Sequence, residues 1–165
     1  MEKKKWENMI KNVWEKIVKK LIDNNKMIST MESCTGGGIA NEITSISGAS
    51  SIIKEAYVTY SNEAKIKLGV SKDVIDSYSV YSIETAESMA RALKEITNAD
   101  VVIGVTGMLG RIDPENPVDK INHVWYTIIF NNTMINKELI APDIERKLQK
   151  EYVINEIGLT LLGIL

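Results

Sequence analysis

The run Asp100-Val101-Val102-Ile103-Gly104-Val105-Thr106 sets the tightest limit on what this chain can become. An unbroken apolar run has no polar side to turn to water, so it predicts a strand covered on both faces. Covering both faces takes helices, and the rest of the chain supplies them. Trp6, Met9, Ile10, Val13, Trp14, Ile17, Val18, Leu21 and Ile22 recur at three- and four-residue spacing among Lys11, Glu15, Lys16, Lys19 and Lys20. That pattern predicts an amphipathic helix over about residues 4–23, ended by Asn24-Asn25 and packed inward by its apolar face. Lys26–Met31 reads as a first strand, Gly36 to Thr44 as a helix and Ile52–Tyr60 as a second strand. Ser61, Ser71 and Ser82 read as the N-caps of three helices, the third with Ala86, Met89, Ala90, Leu93 and Ile96 as its core face. His123–Phe130 and Thr133–Ile140 flank Asn131-Asn132, a hairpin signal. Pro142 suits the first position of a last helix that draws on Ile144, Leu148, Ile157, Leu161, Leu162 and Leu165. The order predicts an α/β fold, a three-layer α/β/α sandwich with a mixed, mostly parallel sheet of about five strands. One domain over residues 1–165 is expected, with residues 1–24 as a helix packed on it.

Composition narrows the chemistry. A net charge of -2 offers no general attraction to nucleic acid or to an anionic membrane. One Cys and one His exclude an internal disulfide and the usual zinc sites, so neither a metal nor another cofactor is expected. No apolar run approaches the ~20 residues of a membrane span. The basic start Met1–Trp6 lacks the apolar stretch of a signal peptide, and a cytoplasmic location is expected.

The chemistry concentrates at Thr30-Met31-Glu32-Ser33-Cys34-Thr35-Gly36-Gly37-Gly38. A strand, a small polar turn and a glycine run put a hydroxyl and a thiol at the carboxyl end of a strand, before a helix start. Ser33 is a candidate nucleophile, and the N–H groups of Cys34, Thr35 and Gly36 are candidates for an oxyanion hole. Gly36 and Gly37 would let a ligand approach the backbone. Cys34 is the rival nucleophile, a thiol whose pKa a helix N-terminus would lower. His123 is the obvious base by residue type, but it follows a loop at a strand start. Lys65 is the better candidate, because the first turn of a helix and partial burial against Tyr60 and strand ends would both favour its neutral form. Tyr60 could relay a proton. Thr106-Gly107 ends the most buried strand at the expected ligand edge, where Thr106 could bond substrate or Lys65. Arg111, and Arg146 with Lys147, are candidate phosphate contacts.

Together, Glu32-Ser33-Cys34-Thr35-Gly36-Gly37, Val58-Thr59-Tyr60-Ser61-Asn62-Glu63-Ala64-Lys65, Thr106-Gly107-x-x-Gly110, Pro117-Val118 and Val124-Trp125 resemble the CinA C-terminal domain family, from about residue 10 to the end. Its characterised members are nicotinamide-nucleotide amidases. The resemblance implies that Ser33 is the nucleophile and Lys65 its base, with Tyr60 beside them. It implies hydrolysis of nicotinamide mononucleotide to nicotinate mononucleotide and ammonia. The partner it implies is a small nucleotide, with no metal; from the residues themselves, Cys34, Thr35, Gly36, Gly37, Asn62, Thr106, Gly107, Arg111 and Arg146 are the candidate contacts to it. The resemblance also implies an α/β/α sandwich, a homodimer and, since many relatives carry an extra N-terminal domain, a standalone form. Two stretches depart from the family pattern. Asp119 replaces the glycine after Pro-Val in a longer 111–122 loop, and Pro142-Asp143-Ile144 replaces a Gly-Asp-Arg before the last helix. The altered loop motivates two alternatives: a non-catalytic pyridine-nucleotide-binding or regulatory module, and a Ser–Lys amidase for another small amide.

Overall fold

The computed structural model describes residues 2–165; Met1, the first residue of the basic N-terminal segment, lies outside the described residues. The elements are α1 (Glu2–Asp23), β1 (Ile28–Glu32), α2 (Gly38–Thr44), β2 (Tyr57–Val58), α3 (Asn62–Lys67), α4 (Lys72–Tyr78), α5 (Ile83–Thr97), β3 (Val101–Gly107), β4 (His123–Phe130), β5 (Thr133–Ile140) and α6 (Arg146–Leu162). The five strands form one sheet in the order β2-β1-β3-β4-β5. β1 pairs in parallel with both β2 and β3, whereas β4 runs antiparallel to β3 and to β5. Four strands therefore share one direction and β4 alone opposes them.

β3 is the centre of the sheet, and its unbroken apolar sequence follows from that position. Val101, Ile103 and Val105 join Trp14, Ile17 and Leu21 of α1, Ile39 and Ile43 of α2, and Val153, Ile157 and Leu161 of α6 in one cluster. Val102 and Met31 join Met89, Ala90 and Leu93 of α5 and Ile75 of α4 in a second cluster. These clusters are the two helical layers of an α/β/α sandwich. Gly104 sets the spacing on the α5 side. A Cβ there would lie 2.6 Å from the Ala86 carbonyl oxygen and 2.7 Å from the Ala90 nitrogen. The helix backbone thus rests directly on the strand.

The three predicted serine caps are present. Ser61, Ser71 and Ser82 accept hydrogen bonds from the backbone N–H of Ala64, Val74 and Thr85. The hairpin strands have the expected bounds, with Asn131 at φ 54° in the turn. Other boundaries differ. The second strand is only Tyr57–Val58, because residues 52–56 contact β1 irregularly: Ile52 carbonyl accepts from Ile28 N–H and Glu55 carbonyl from the Ser29 hydroxyl. The second helix starts at Gly38, since Gly36 and Gly37 have φ of 61° and 91° and cannot continue a right-handed helix. The last helix starts at Arg146, not Pro142, whose carbonyl is taken by Ile144 N–H and by the Gln149 side chain. Ile96 and Ile144 are exposed rather than core.

Candidate active site

Parallel pairing brings the carboxyl ends of β1, β2 and β3 to one edge of the sheet, as expected for a ligand edge in an open α/β sheet. Ser33 follows β1, Thr59 and Tyr60 follow β2, and Gly107 closes β3. A cleft of about 560 Å³ opens there, walled on its far side by residues 111–116 of the loop after β3.

Lys65 Nζ donates to Ser33 Oγ at 3.0 Å and to the Thr59 carbonyl at 2.7 Å. Both side chains are buried, Lys65 at 1% and Ser33 at 7% exposure, while still lining the cleft. Burial lowers the Lys65 pKa to about 8, against the opposing charges of Asp113 and Glu63. Of the two expected causes, burial is the operative one and a position in the first helical turn is not. Lys65 lies in the last turn of the six-residue α3, where the helix dipole favours the ammonium ion. Desolvation outweighs it. Tyr60 stands at the solvent side of the same cleft. It is 63% exposed, and its hydroxyl accepts a hydrogen bond from Arg146 Nη2 at 3.1 Å. The proton relay expected of Tyr60 therefore lacks a hydrogen bond to Ser33 or Lys65.

The helix start behind Ser33 is also not the open anion site its sequence promised. Glu32, fully buried, occupies it. Its carboxylate accepts from Ile39 N–H at 2.9 Å, Ala40 N–H at 3.0 Å, the Thr35 hydroxyl at 2.6 Å and the Thr30 hydroxyl at 3.2 Å. The chain thus caps α2 with its own anion. Thr35, Gly36 and Gly37 consequently lie outside the cleft lining, and Gly36 N–H is used by the Ser33 carbonyl. The N–H groups of Cys34 and Thr35 take no backbone acceptor among the described residues.

Cys34 lines the cleft, but its thiol is pushed up to about 12 by burial and by the charge of Glu32. A lowered thiol pKa was the ground for a cysteine nucleophile, and the reverse holds. Thr106 is fully buried outside the cleft lining and donates to the Val80 carbonyl at 2.9 Å, while Lys65 donates to Ser33 and Thr59 instead. His123 bonds Glu138 at 2.8 Å and stacks on Trp125 on the hairpin, outside the cleft lining. Gly107, Asn62, Arg111 and Arg146 all line the cleft; Lys147 does not. Arg146 is held by the Leu109 carbonyl at 2.9 Å as well as by Tyr60.

Residues that sequence reading passed over complete the walls. Tyr81, just before the Ser82 cap, donates to Asp113 Oδ2 at 2.6 Å. Asn116 Nδ2 donates to the same oxygen at 2.9 Å and Asn62 Nδ2 donates to Asn116 Oδ1 at 3.0 Å. A polar Asp-Pro-Glu-Asn sequence announces a turn, and nothing in it announces these distant partners.

Comparison with known proteins gives the same picture. The family model described as CinA C-terminal domain matches residues 10–161. A protein of Alkaliphilus metalliredigens described as competence-damage inducible is 40% identical over 138 residues, 82% of this chain and 33% of the relative. The chain spans about a third of the length of the curated relatives it matches. Among solved structures, a competence-damaged protein (CinA) superfamily protein from Escherichia coli superposes with a TM-score of 0.86 at 26% identity, covering 94% of this chain and 90% of that one. A competence/damage inducible protein from Agrobacterium tumefaciens gives 0.85 at 28% identity, covering 94% of each chain. With its ligand-edge cleft, its sheet order and a family match over almost its whole length, this chain belongs to the CinA C-terminal domain family.

Proposed function

We propose that this chain is a nicotinamide-nucleotide amidase in which Ser33 is the nucleophile and Lys65 the base. The observation that carries the reading is the 3.0 Å contact between Lys65 Nζ and Ser33 Oγ in a cleft at the carboxyl edge of the sheet. A lysine is a base only when neutral. With a pKa of about 8, roughly a tenth of Lys65 is neutral at pH 7, compared with a negligible share for an ordinary lysine. The Thr59 carbonyl holds the amine in place in either state.

In this mechanism neutral Lys65 takes the Ser33 hydroxyl proton as Oγ attacks the carboxamide carbon. The N–H group of Cys34, which lines the cleft, is the proposed donor to the oxyanion. Lys65 then returns the proton to the departing nitrogen, ammonia leaves, and an acyl ester on Ser33 remains. Water attacks the ester, its proton passing through Lys65 to Ser33 Oγ, and the carboxylate is released. Arg111 and Arg146 are the proposed phosphate contacts, with Tyr60 orienting Arg146 through its hydroxyl. The working unit is proposed as one domain over residues 1–165, assembled as a homodimer.

The test is ammonia release from nicotinamide mononucleotide by the purified chain. Ser33→Ala and Lys65→Ala should each lower it by at least about a thousandfold while the circular dichroism spectrum is kept. Near-full activity in either variant would sink the mechanism. A panel of other small amides, run alongside, decides whether the nucleotide is the preferred substrate.

A further inference from the structure

The wall opposite Ser33 is tied down by side chains from three separate parts of the chain. Asp113 is its hub. Its carboxylate accepts from the Tyr81 hydroxyl at 2.6 Å, from Asn116 Nδ2 at 2.9 Å and from Glu115 N–H at 2.9 Å. Asn116 in turn receives Asn62 Nδ2 at 3.0 Å. Tyr81 precedes α5, Asn62 opens α3, and Asp113 and Asn116 belong to the loop between β3 and β4. All four line the cleft. Asn62 and Lys65 stand three residues apart on the same short helix. The strap therefore joins the loop to the element that carries Lys65.

We propose that Asp113 is a positioning residue of this site, fixing the 111–122 loop as the substrate-facing wall through Tyr81, Asn116 and Asn62 and placing an anion on the cleft that Lys65 lines. The proposal rests on the reading of Ser33 and Lys65 given above. The geometry has an electrostatic consequence. Its bonds to Tyr81 and Asn116 hold the Asp113 carboxyl below its ordinary range, so it is an anion throughout the neutral range. The other carboxylate whose charge acts on Lys65 is Glu63 from α3; the Cys34 thiol, pushed up to about 12, is uncharged where Lys65 titrates. Arg111, Glu115 and Arg146 stand around the same cleft. Of these, Asp113 is the one whose hydrogen bonds also hold the wall. Burial of the Tyr81 ring and its bond to Asp113 keep the phenol pKa raised, so Tyr81 stays a donor.

The experiment uses the full chain and reads two quantities that need no activity. Isotope-labelled lysine side chains followed by NMR give the titration midpoint of Lys65, assigned by its loss in Lys65→Met. Hydrogen exchange reports opening of residues 111–122. In Asp113→Asn the Lys65 midpoint should fall, because an opposing anion is gone, and loop exchange should speed up roughly tenfold. In Tyr81→Phe the ring and the carboxylate both remain. Loop exchange should still rise several-fold, and the KM for nicotinamide mononucleotide should rise more than kcat falls. This second variant keeps the test open should Asp113→Asn fail to fold. An unmoved Lys65 midpoint in a folded Asp113→Asn, or unchanged loop exchange in Tyr81→Phe, overturns the proposal. A chain that releases no ammonia while both readouts move as expected discards the amidase reading and keeps the strap.

Discussion

Glu32 and Asp113 stand on opposite sides of one cleft, and each gathers hydrogen-bond donors around a carboxylate. Glu32 is fully buried, and its partners come from residues within eight positions of it in sequence. Asp113 is only half-buried, and its main partner, Tyr81, is 32 positions away. The first arrangement is local and dry. It locks the turn that presents Ser33, and a change there exposes a buried carboxylate or orphans backbone N–H groups. The second is non-local and wet, with water ready to replace any lost partner. The contrast assigns the two walls different duties. The β1–α2 side holds Ser33 rigidly in place. A change on the loop side loosens that wall without unfolding the chain.

The largest expected effect falls on the proposed chemistry at Ser33, which the two walls enclose. Lys65→Met should reduce ammonia release by about a thousandfold or more, read by initial rates. The same variant sharpens the electrostatic side. In the wild-type chain Lys65 has a folded pKa of about 8 against an ordinary 10.5, so the unfolded chain binds more protons between these values. Stability therefore rises with pH across that window, and below it the buried ammonium carries its full cost. Urea titrations from pH 7 to 10.5 should show this rise in the wild type and a smaller one in Lys65→Met. By the same pKa, the rate should climb with pH and level off above about 8.

Glu32→Ala comes next, on stability. It leaves Ile39 and Ala40 N–H and the Thr35 hydroxyl without an acceptor, at about 3–5 kcal/mol in urea unfolding. Asn116→Ala, on the wet wall, should cost no more than about 1 kcal/mol in the same assay. Equal losses in the two variants would erase the distinction between the walls. Gly104→Ala should cost about 1–3 kcal/mol by driving α5 off β3. The smallest effect is expected for Cys34→Ser. Its raised thiol pKa makes it a poor nucleophile, so activity should stay within about threefold of wild type.

Much of this was legible in the residues. The helical period of α1, the serine caps and the hairpin bounded by Asn131-Asn132 were all read from local chemistry, because local chemistry decides them. Misreadings arose where a distant partner intervened. Thr106 ends a strand at the ligand edge, yet the Val80 carbonyl claims its hydroxyl. The glycine-rich helix start looked ready for a substrate anion, but the preceding Glu32 folds back into it. Pro142 suited a helix start until Gln149 took its carbonyl. Tyr60 was expected to relay a proton for Lys65, and its hydroxyl is bonded to Arg146 instead.

The sequence by itself determined the layers and the motif pair. A strand without a polar face requires helices on both sides, and Ser33 and Lys65 sit in segments long enough to be recognised. The tertiary structure decided what those residues can do. Lys65 is a candidate base because the fold buries it beside Ser33, and not because of its place on a helix. Desolvation depends on everything that surrounds an amine, and those surroundings are assembled from strands, loops and helices far apart in the chain.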